Sequence, residues 1–475
     1  MYSIIPYGEY MEQWVKDWVK KQRESGEKGI EIKKQANSYY VYRSTTYRDK
    51  KAKKRRKKST YIGKLSRDGL REKKEKRVTV KQYGNAVLLQ EAMKDIVPSL
   101  KVFESWEEIY ALALVRVMDY VPLKRVKAVW EKLYMKGLSP NLNPKKLSAV
   151  LREVGLDREG QNAVFNQLMK GESFVYDLSV VFTRSAINFA EVGYNKDKIH
   201  IPQINIALLY SSDGLPAMIK ALPGSVRDIT SIYNSVKEID SHVILILDRG
   251  FFSMGVVKFL LDKASFVIPA RRNSKLYEEE IDVKDHFFYR ERLIKCGKTG
   301  KEIKGERKKK SYYLYLFEDV TLRAEEEITL YKKHDKGKIS KEEIEKGLKR
   351  AGKILIISDL DKEPEDIFLM YKQREGVEKA FDVYKNVLNA DKMYLQDNES
   401  VFGHLFVSFL SLYGYCKLQC MLREKGMLNK VSPMDLMDEY AKVYKVEYGD
   451  KELMSEVPKK VRELDEKLEL NLFPK

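Results

Sequence analysis

Asp177, Asp248 and Glu378 are the side chains whose types and settings could do chemistry. Asp177 follows a short run of strand-forming residues, 173–176. Asp248 closes the apolar run His-Val-Ile-Leu-Ile-Leu at 242–247, which reads as a buried strand of the parallel type. Glu378 lies in a stretch of helix formers. Two carboxylates at strand ends and a third on a helix are the ingredients of a site for hard divalent cations. Two such ions about 3.5–4 Å apart suit phosphoryl transfer, because one activates the attacking oxygen and the other stabilises the leaving one.

The element that must present Glu378 is 371–385, YKQREGVEKAFDVYK, where Gly376 is the only breaker between Pro364 and Lys385. At about 100° per residue, with Tyr371 at zero, Arg374 falls near 300°, Lys385 near 320° and Glu378 near 340°. Tyr, Arg, Glu and Lys then share a narrow stripe. Val377, Ala380, Phe381, Tyr384 and Leu388 form the neighbouring apolar face, which places the polar stripe at the rim of a core. Arg374 and Glu378, spaced i,i+4, are on their own an ordinary surface ion pair.

Tyr371-x2-Arg374-x3-Glu378-x6-Lys385 resembles, in identity and spacing, the Y-R-E-K signature of insertion-sequence transposases of the DDE class, the "IS-four" type. Asp177 and the Asp248-Arg249-Gly250 segment sit where that family has its first and second Asp. The resemblance covers about residues 150–425. It implies a ribonuclease H-like catalytic core in which Asp177, Asp248 and Glu378 hold two Mg²⁺ or Mn²⁺ ions, Asp177 bridging both. It further implies cleavage at transposon ends, strand transfer into target DNA, and a homodimer in the synaptic complex. Arg374 and Lys385 would contact phosphates and Tyr371 the strand end, with Arg249 either a further contact or the partner of a nearby acid. Ser179 stands where relatives often carry Thr, and Gly224-Ser225 where Gly-Asn is common; neither is an expected ligand.

Composition agrees with a phosphate-bearing partner. The 475 residues carry 89 Lys and Arg against 70 Asp and Glu, a formal charge of +19. A hydrophobic share of 43% with 33% charged residues fits two to four folded domains. The three cysteines, Cys296, Cys416 and Cys420, have no zinc or disulfide spacing. With no secretion-type start and no lipidation motif, a prokaryotic cytoplasm, at the nucleoid when bound to DNA, is the expected location.

The fold expected is α/β: a mixed sheet with helices on both faces, interrupted by a β-rich insertion. A basic N-terminal domain precedes it and a helical tail follows. Residues 1–90 form a basic β-hairpin or arm. Strands at 39–47 and 59–64 flank the block Lys50, Lys51, Lys53, Lys54, Arg55, Arg56, Lys57 and Lys58, expected to be a solvated loop that tracks double-stranded DNA. Residues 91–170 are helical, without a recognisable helix-turn-helix. The core's first part is 171–270, the insertion 271–350, the core's second part 351–425, and the tail 426–475. The apolar stretch 399–422 is long enough to span a membrane, but its His404, Ser408, Ser411, Lys417 and Gln419 mark it as a core helix. Two other functions share the same residues: a ribonuclease H-like nuclease or resolvase without strand transfer, and a non-catalytic DNA-binding protein derived from a transposase.

Overall fold

The computed structural model describes residues 11–49, 54–72, 78–185, 187–195, 199–226, 228–235, 243–304, 309–393, 395–448 and 451–474. The chain divides into two units. One holds residues 1–80 and 446–454, the other 81–445 and 455–475.

In the first unit, α1 (Gln13–Glu24) packs on an antiparallel sheet of β1 (Ile30–Gln35), β2 (Ser38–Asp49), β3 (Lys54–Ser66) and β4 (Gly69–Glu72). Val15 and Val19, one turn apart on α1, close over Ile32, Tyr39, Val41 and Leu65. The alternate residues Tyr40, Tyr42 and Tyr61 cluster on the sheet's other face, with ring centroids 5.3–6.0 Å apart. Lys50, Lys51 and Lys53 lie outside the described residues. Lys54 to Lys58 do not form the loop expected of a charge block: they are the first part of β3, paired with Asp49 back to Thr45 on β2. Strand alternation turns successive cations to opposite faces of a two-stranded ribbon, so their charge is solvated without breaking the ladder. Lys57 also gains a partner, Glu31, at 2.8 Å. Together with Ser44 it holds that carboxyl down at about 2.

The second unit follows β5 (Val78–Gln82) and opens with helices α2 (Gly84–Ala92), α3 (Val97–Leu100), α4 (Trp106–Met118), α5 (Leu123–Trp130), α6 (Pro144–Leu156) and α7 (Arg158–Leu168). The Asn143-Pro144 start works as its chemistry dictates: the Asn143 side chain accepts a hydrogen bond from the Lys145 N–H at 2.9 Å. The sheet begins with β6 (Ser173–Phe182), β7 (Gln203–Ser211) and β8 (Pro216–Pro223), an antiparallel meander. Gly214, at φ 92°, makes the β7–β8 turn, and its carbonyl receives the Tyr210 hydroxyl at 2.8 Å. After α8 (Asp228–Ser235), β9 (Ile244–Leu247) lies parallel to β6. Past α9 (Met254–Leu261), β10 (Ser265–Pro269) lies parallel to β9.

Residues 271–350 do not stand apart as an insertion. Their strands β11 (Asp285–Tyr289), β12 (Arg292–Lys304) and β13 (Lys309–Asp319) extend the same sheet, and helices α10 (Val320–Asp335) and α11 (Lys341–Arg350) follow. Strand β14 (Lys353–Ser358) joins this wing to the core, antiparallel to both β13 and β10. The nine strands run in the order β11-β12-β13-β14-β10-β9-β6-β7-β8. The segment β8-β7-β6-β9-β10, with β6, β9 and β10 parallel, is compatible with a ribonuclease H-like core.

Both faces of this sheet carry helices, as neighbouring residues of β6 show. The buried Tyr176 hydroxyl meets Ser235 of α8 at 2.9 Å. Asp177, next along and so on the opposite face, lies in the electrostatic field of residues 374 and 378. Those belong to the second of two consecutive helices, α12 (Pro364–Lys372) and α13 (Arg374–Asp382). Next comes α14 (Asn398–Glu424), which is long and apolar enough to cross a membrane but has 78% of its apolar window buried in the protein. Within it Arg116 of α4 reaches Ser408 and the carbonyl and ring of His404. Burial, then the neighbouring guanidinium, push the His404 imidazole down to about 3, so it stays neutral.

The C-terminal region is not wholly helical. Helices α15 (Pro433–Tyr440) and α16 (Lys459–Lys467) are separated by β15 (Tyr444–Tyr448) and β16 (Lys451–Met454).

Candidate active site

Sheet register sets the first two acids. Tyr176 pairs with Leu247 across the parallel β6–β9 ladder, so Asp177 and Asp248 are the next residues on neighbouring strands. Beyond Leu247 the backbone leaves the sheet and tightens into a 3-10 turn at Arg249–Phe251, while β6 continues along β7. Asp248 therefore projects from a strand tip, whereas Asp177 is held within a strand.

Glu378 arrives on α13, which approaches β7 closely. A Cβ built at Gly376 would come within 3.1 Å of the Tyr210 ring, so a glycine in the first turn of this helix favours its close seating on the sheet. The stretch expected as one helix is divided. Lys372 ends α12, Gln373 forms a tight turn in which the Gly376 N–H bonds back to the Gln373 carbonyl at 2.9 Å, and α13 starts at Arg374. A π turn, Val383–Val387, then follows and carries Lys385, which is half-buried. All these residues stay in right-handed helical geometry, so the polar stripe is only roughly that of an ideal helix. Tyr371 is buried at the end of α12, before the turn that separates it from the other members.

Arg374 draws the acids together. Its Nη1 lies 2.8 Å from Glu378 Oε1 and 3.3 Å from Asp248 Oδ1. Glu378 is the most open of the three side chains, at 54% exposure, while Arg374 keeps only 25%. Asp177 is only partly accessible, and its Oδ1 accepts the Leu178 N–H at 2.8 Å. Burial above all, then the nearby Asp248 and Glu378 charges, raise its carboxyl to about 7, against the opposing pull of Leu178 N–H and Arg374. Burial would lower the Arg374 guanidinium, but Tyr371, Asp248, Glu378 and Asp177 outweigh it and raise the group.

The aromatic and basic members of the stripe sit beside this cluster. The Arg374 guanidinium lies 5.6 Å from the centre of the Tyr371 ring, a cation–π contact. Burial raises the Tyr371 phenol. Arg249 follows Asp248 directly, and its Nε is buried without a hydrogen-bond partner. The other glutamate of α13, Glu375, turns to Arg290 at 2.8 Å instead. The Asp248–Arg374 pair, which spans the sequence from β9 to α13, is the contact that helical spacing could not reveal.

These oxygen donors have the chemistry for Mg²⁺ or Mn²⁺. Among the described residues, however, no three His, Cys, Asp or Glu side chains are gathered tightly enough to hold a metal ion. Two of the three carboxylates are directed at a guanidinium nitrogen.

The family model described as the transposase DDE domain matches residues 174–413, half of the chain. The chain belongs to the DDE-domain transposases. The matched region begins in β6, just before Asp177, and ends in α14, so it contains every acid of the cluster. Among solved structures this transposase is similar to the piggyBac transposase synaptic complex with hairpin DNA. Identity is 14% and the TM-score 0.39, over 76% of this chain and 79% of that one. No curated protein matches it.

Proposed function

We propose that this chain is a DNA transposase that cuts at the ends of a mobile element with the help of divalent metal ions and joins the freed ends to target DNA. The observation carrying this reading is the approach of Asp177, Asp248 and Glu378, from β6, β9 and α13, to the single guanidinium of Arg374. Those three side chains would hold two Mg²⁺ or Mn²⁺ ions. Ions held there would supply Lewis-acid activation of an attacking oxygen and stabilisation of a leaving one.

The protein's own groups do the rest. The β6–β9 register keeps the two aspartates in step, and the close seating of α13 brings Glu378 over them. Arg374 offers planar N–H donors suited to a phosphate, and Lys385 and Arg249 add charge for the strand. Tyr371, buried against Arg374, orients that fork by its ring face. The basic ribbon of β2 and β3 would track the duplex backbone. Double-stranded DNA, as terminal inverted repeats and target, is the partner, and a homodimer the working assembly.

The test is Asp248→Asn on DNA carrying the element's own terminal repeats, with Mg²⁺ or Mn²⁺. Cleavage is expected to disappear while end binding persists, and loss of binding would show that Asp248 has another role. With the unmodified protein, cleavage that never proceeds to joining would identify a nuclease instead.

A further inference from the structure

Arg374 Nη1 contacts both Asp248 and Glu378. A divalent ion shared by the same two carboxylates would need their oxygens turned to one point, at about 2.0–2.1 Å for Mg²⁺. The guanidinium nitrogen lies between those oxygens, at hydrogen-bonding rather than coordination distance. It is a single charge, always ionised, and held from behind by the Tyr371 ring. Held on Oδ1 of Asp248 and Oε1 of Glu378, it competes with a metal ion for the pair.

We propose that Arg374 is a built-in counter-cation for the carboxylate cluster, which must give up Asp248 and Glu378 before a divalent ion can bridge them. This deepens the reading above and rests on it. With the acids unpaired, three carboxylates in one neighbourhood would repel one another. Arg374 offsets that repulsion, and a metal ion bridging the pair through those oxygens has to displace it. A DNA phosphate at the site competes for the same guanidinium, so it draws Arg374 off the carboxylates and favours metal entry. By linkage, bound metal then strengthens the hold on DNA by the same factor. The site is thereby biased to load metal only when its DNA is present.

The measurement is Mn²⁺ binding to the full chain without DNA, at fixed pH and salt, with free Mn²⁺ followed by electron paramagnetic resonance. Arg374→Gln is expected to bind Mn²⁺ at least tenfold more tightly than the unmodified protein. Arg249→Gln removes an equal charge next to Asp248 and should stay within twofold. Adding duplex DNA should tighten Mn²⁺ binding in the unmodified protein and change it little in Arg374→Gln.

Melting in EDTA shows whether each variant is folded. Arg374→Gln should melt cooperatively, at a lower temperature than the unmodified protein, and gain more from added Mn²⁺. A folded Arg374→Gln that binds Mn²⁺ no more tightly than the unmodified chain overturns the proposal. So does an Arg249→Gln effect of equal size, which would make the influence one of net charge. Absence of Mn²⁺ binding in all three proteins at millimolar metal would instead strike the metal-dependent reading itself.

Discussion

Tyr176 stands opposite Leu247 in the parallel pairing of β6 with β9. That single step of register leaves Asp177 and Asp248 as neighbours, and burial, with the Asp248 charge added, makes Asp177 expensive to ionise. Its folded-state carboxyl, near 7, lies above the ordinary value of about 3.9 that it regains on unfolding. The folded chain therefore keeps this proton longer than the unfolded chain does. Stability should be full below about pH 4 as far as this group is concerned, and fall as pH rises through about 4–7. Some 2 kcal/mol, of order, is at stake in that window, after allowing for the nearby Arg374. Urea unfolding in EDTA at pH 5 and pH 8 measures it. Asp177→Asn, a neutral isostere, should match the unmodified protein near pH 4–5 and exceed it at pH 8. A variant with the same pH slope as the parent would remove Asp177 as the cause.

The two glutamates of α13 are a matched pair for testing. Glu378 shares Arg374 with Asp248, whereas Glu375 is engaged by Arg290. Glu378→Gln should cut the cleavage rate by at least about a hundredfold, the effect of losing a few kcal/mol of charge stabilisation. Glu375→Gln should leave the rate within a few-fold and cost about 0–1 kcal/mol of stability, as a surface ion pair does. Equal losses of rate in the two variants would mean that α13 acts through its fold and not through one carboxylate.

The core helix α14 depends on backbone contact. A Cβ added at Gly403 would lie 1.8 Å from the Leu151 carbonyl oxygen on α6, and one at Gly155 would lie 1.8 Å from that of Glu399. Neither neighbour is a side chain that can turn away. Gly403→Ala is expected to lose about 2 kcal/mol or more, despite the better helix propensity of alanine. A thermal melt reads this directly, and an unchanged or raised midpoint would show that α6 and α14 can separate freely.

These contacts mark what was legible in the amino-acid order and what was not. The runs ending at Asp177 and Asp248 are short and apolar, so their strands could be read. The pairing that aligns them could not, because it depends on residues far apart in sequence. The stretch from Tyr371 to Lys385 reads as helix throughout because every residue in it stays near helical geometry, and the tight turn at Gln373 and the π turn at Val383–Val387 leave no compositional trace. The β-rich character of 271–350 could be read, but the place of β11–β13 in the common sheet could not. Their charged exterior looks like an excursion, yet Leu314, Tyr315 and Phe317 are buried in the common sheet. Arg116 illustrates the same gap: a cation in an apolar helix becomes a core residue only because α14 packs over it.

The basic ribbon supplies the last prediction. Lys54, Arg55, Arg56 and Lys58 are exposed along β3, while Lys57 is tied to Glu31. Exposed cations on a paired strand are placed to displace counterions from a nucleic-acid backbone, and each phosphate contact adds about 0.9 to the slope of log affinity against log salt. Replacing these four with Ser should weaken binding to duplex DNA and lower that slope by up to about 3–4. Lys57→Ser should act mainly on stability, by leaving the Glu31 carboxylate with its serine partners alone. Binding titrations from 50 to 200 mM salt distinguish the two effects. If the fourfold variant keeps the parent's slope, the ribbon makes no phosphate contacts and its charge serves only to keep the unit soluble.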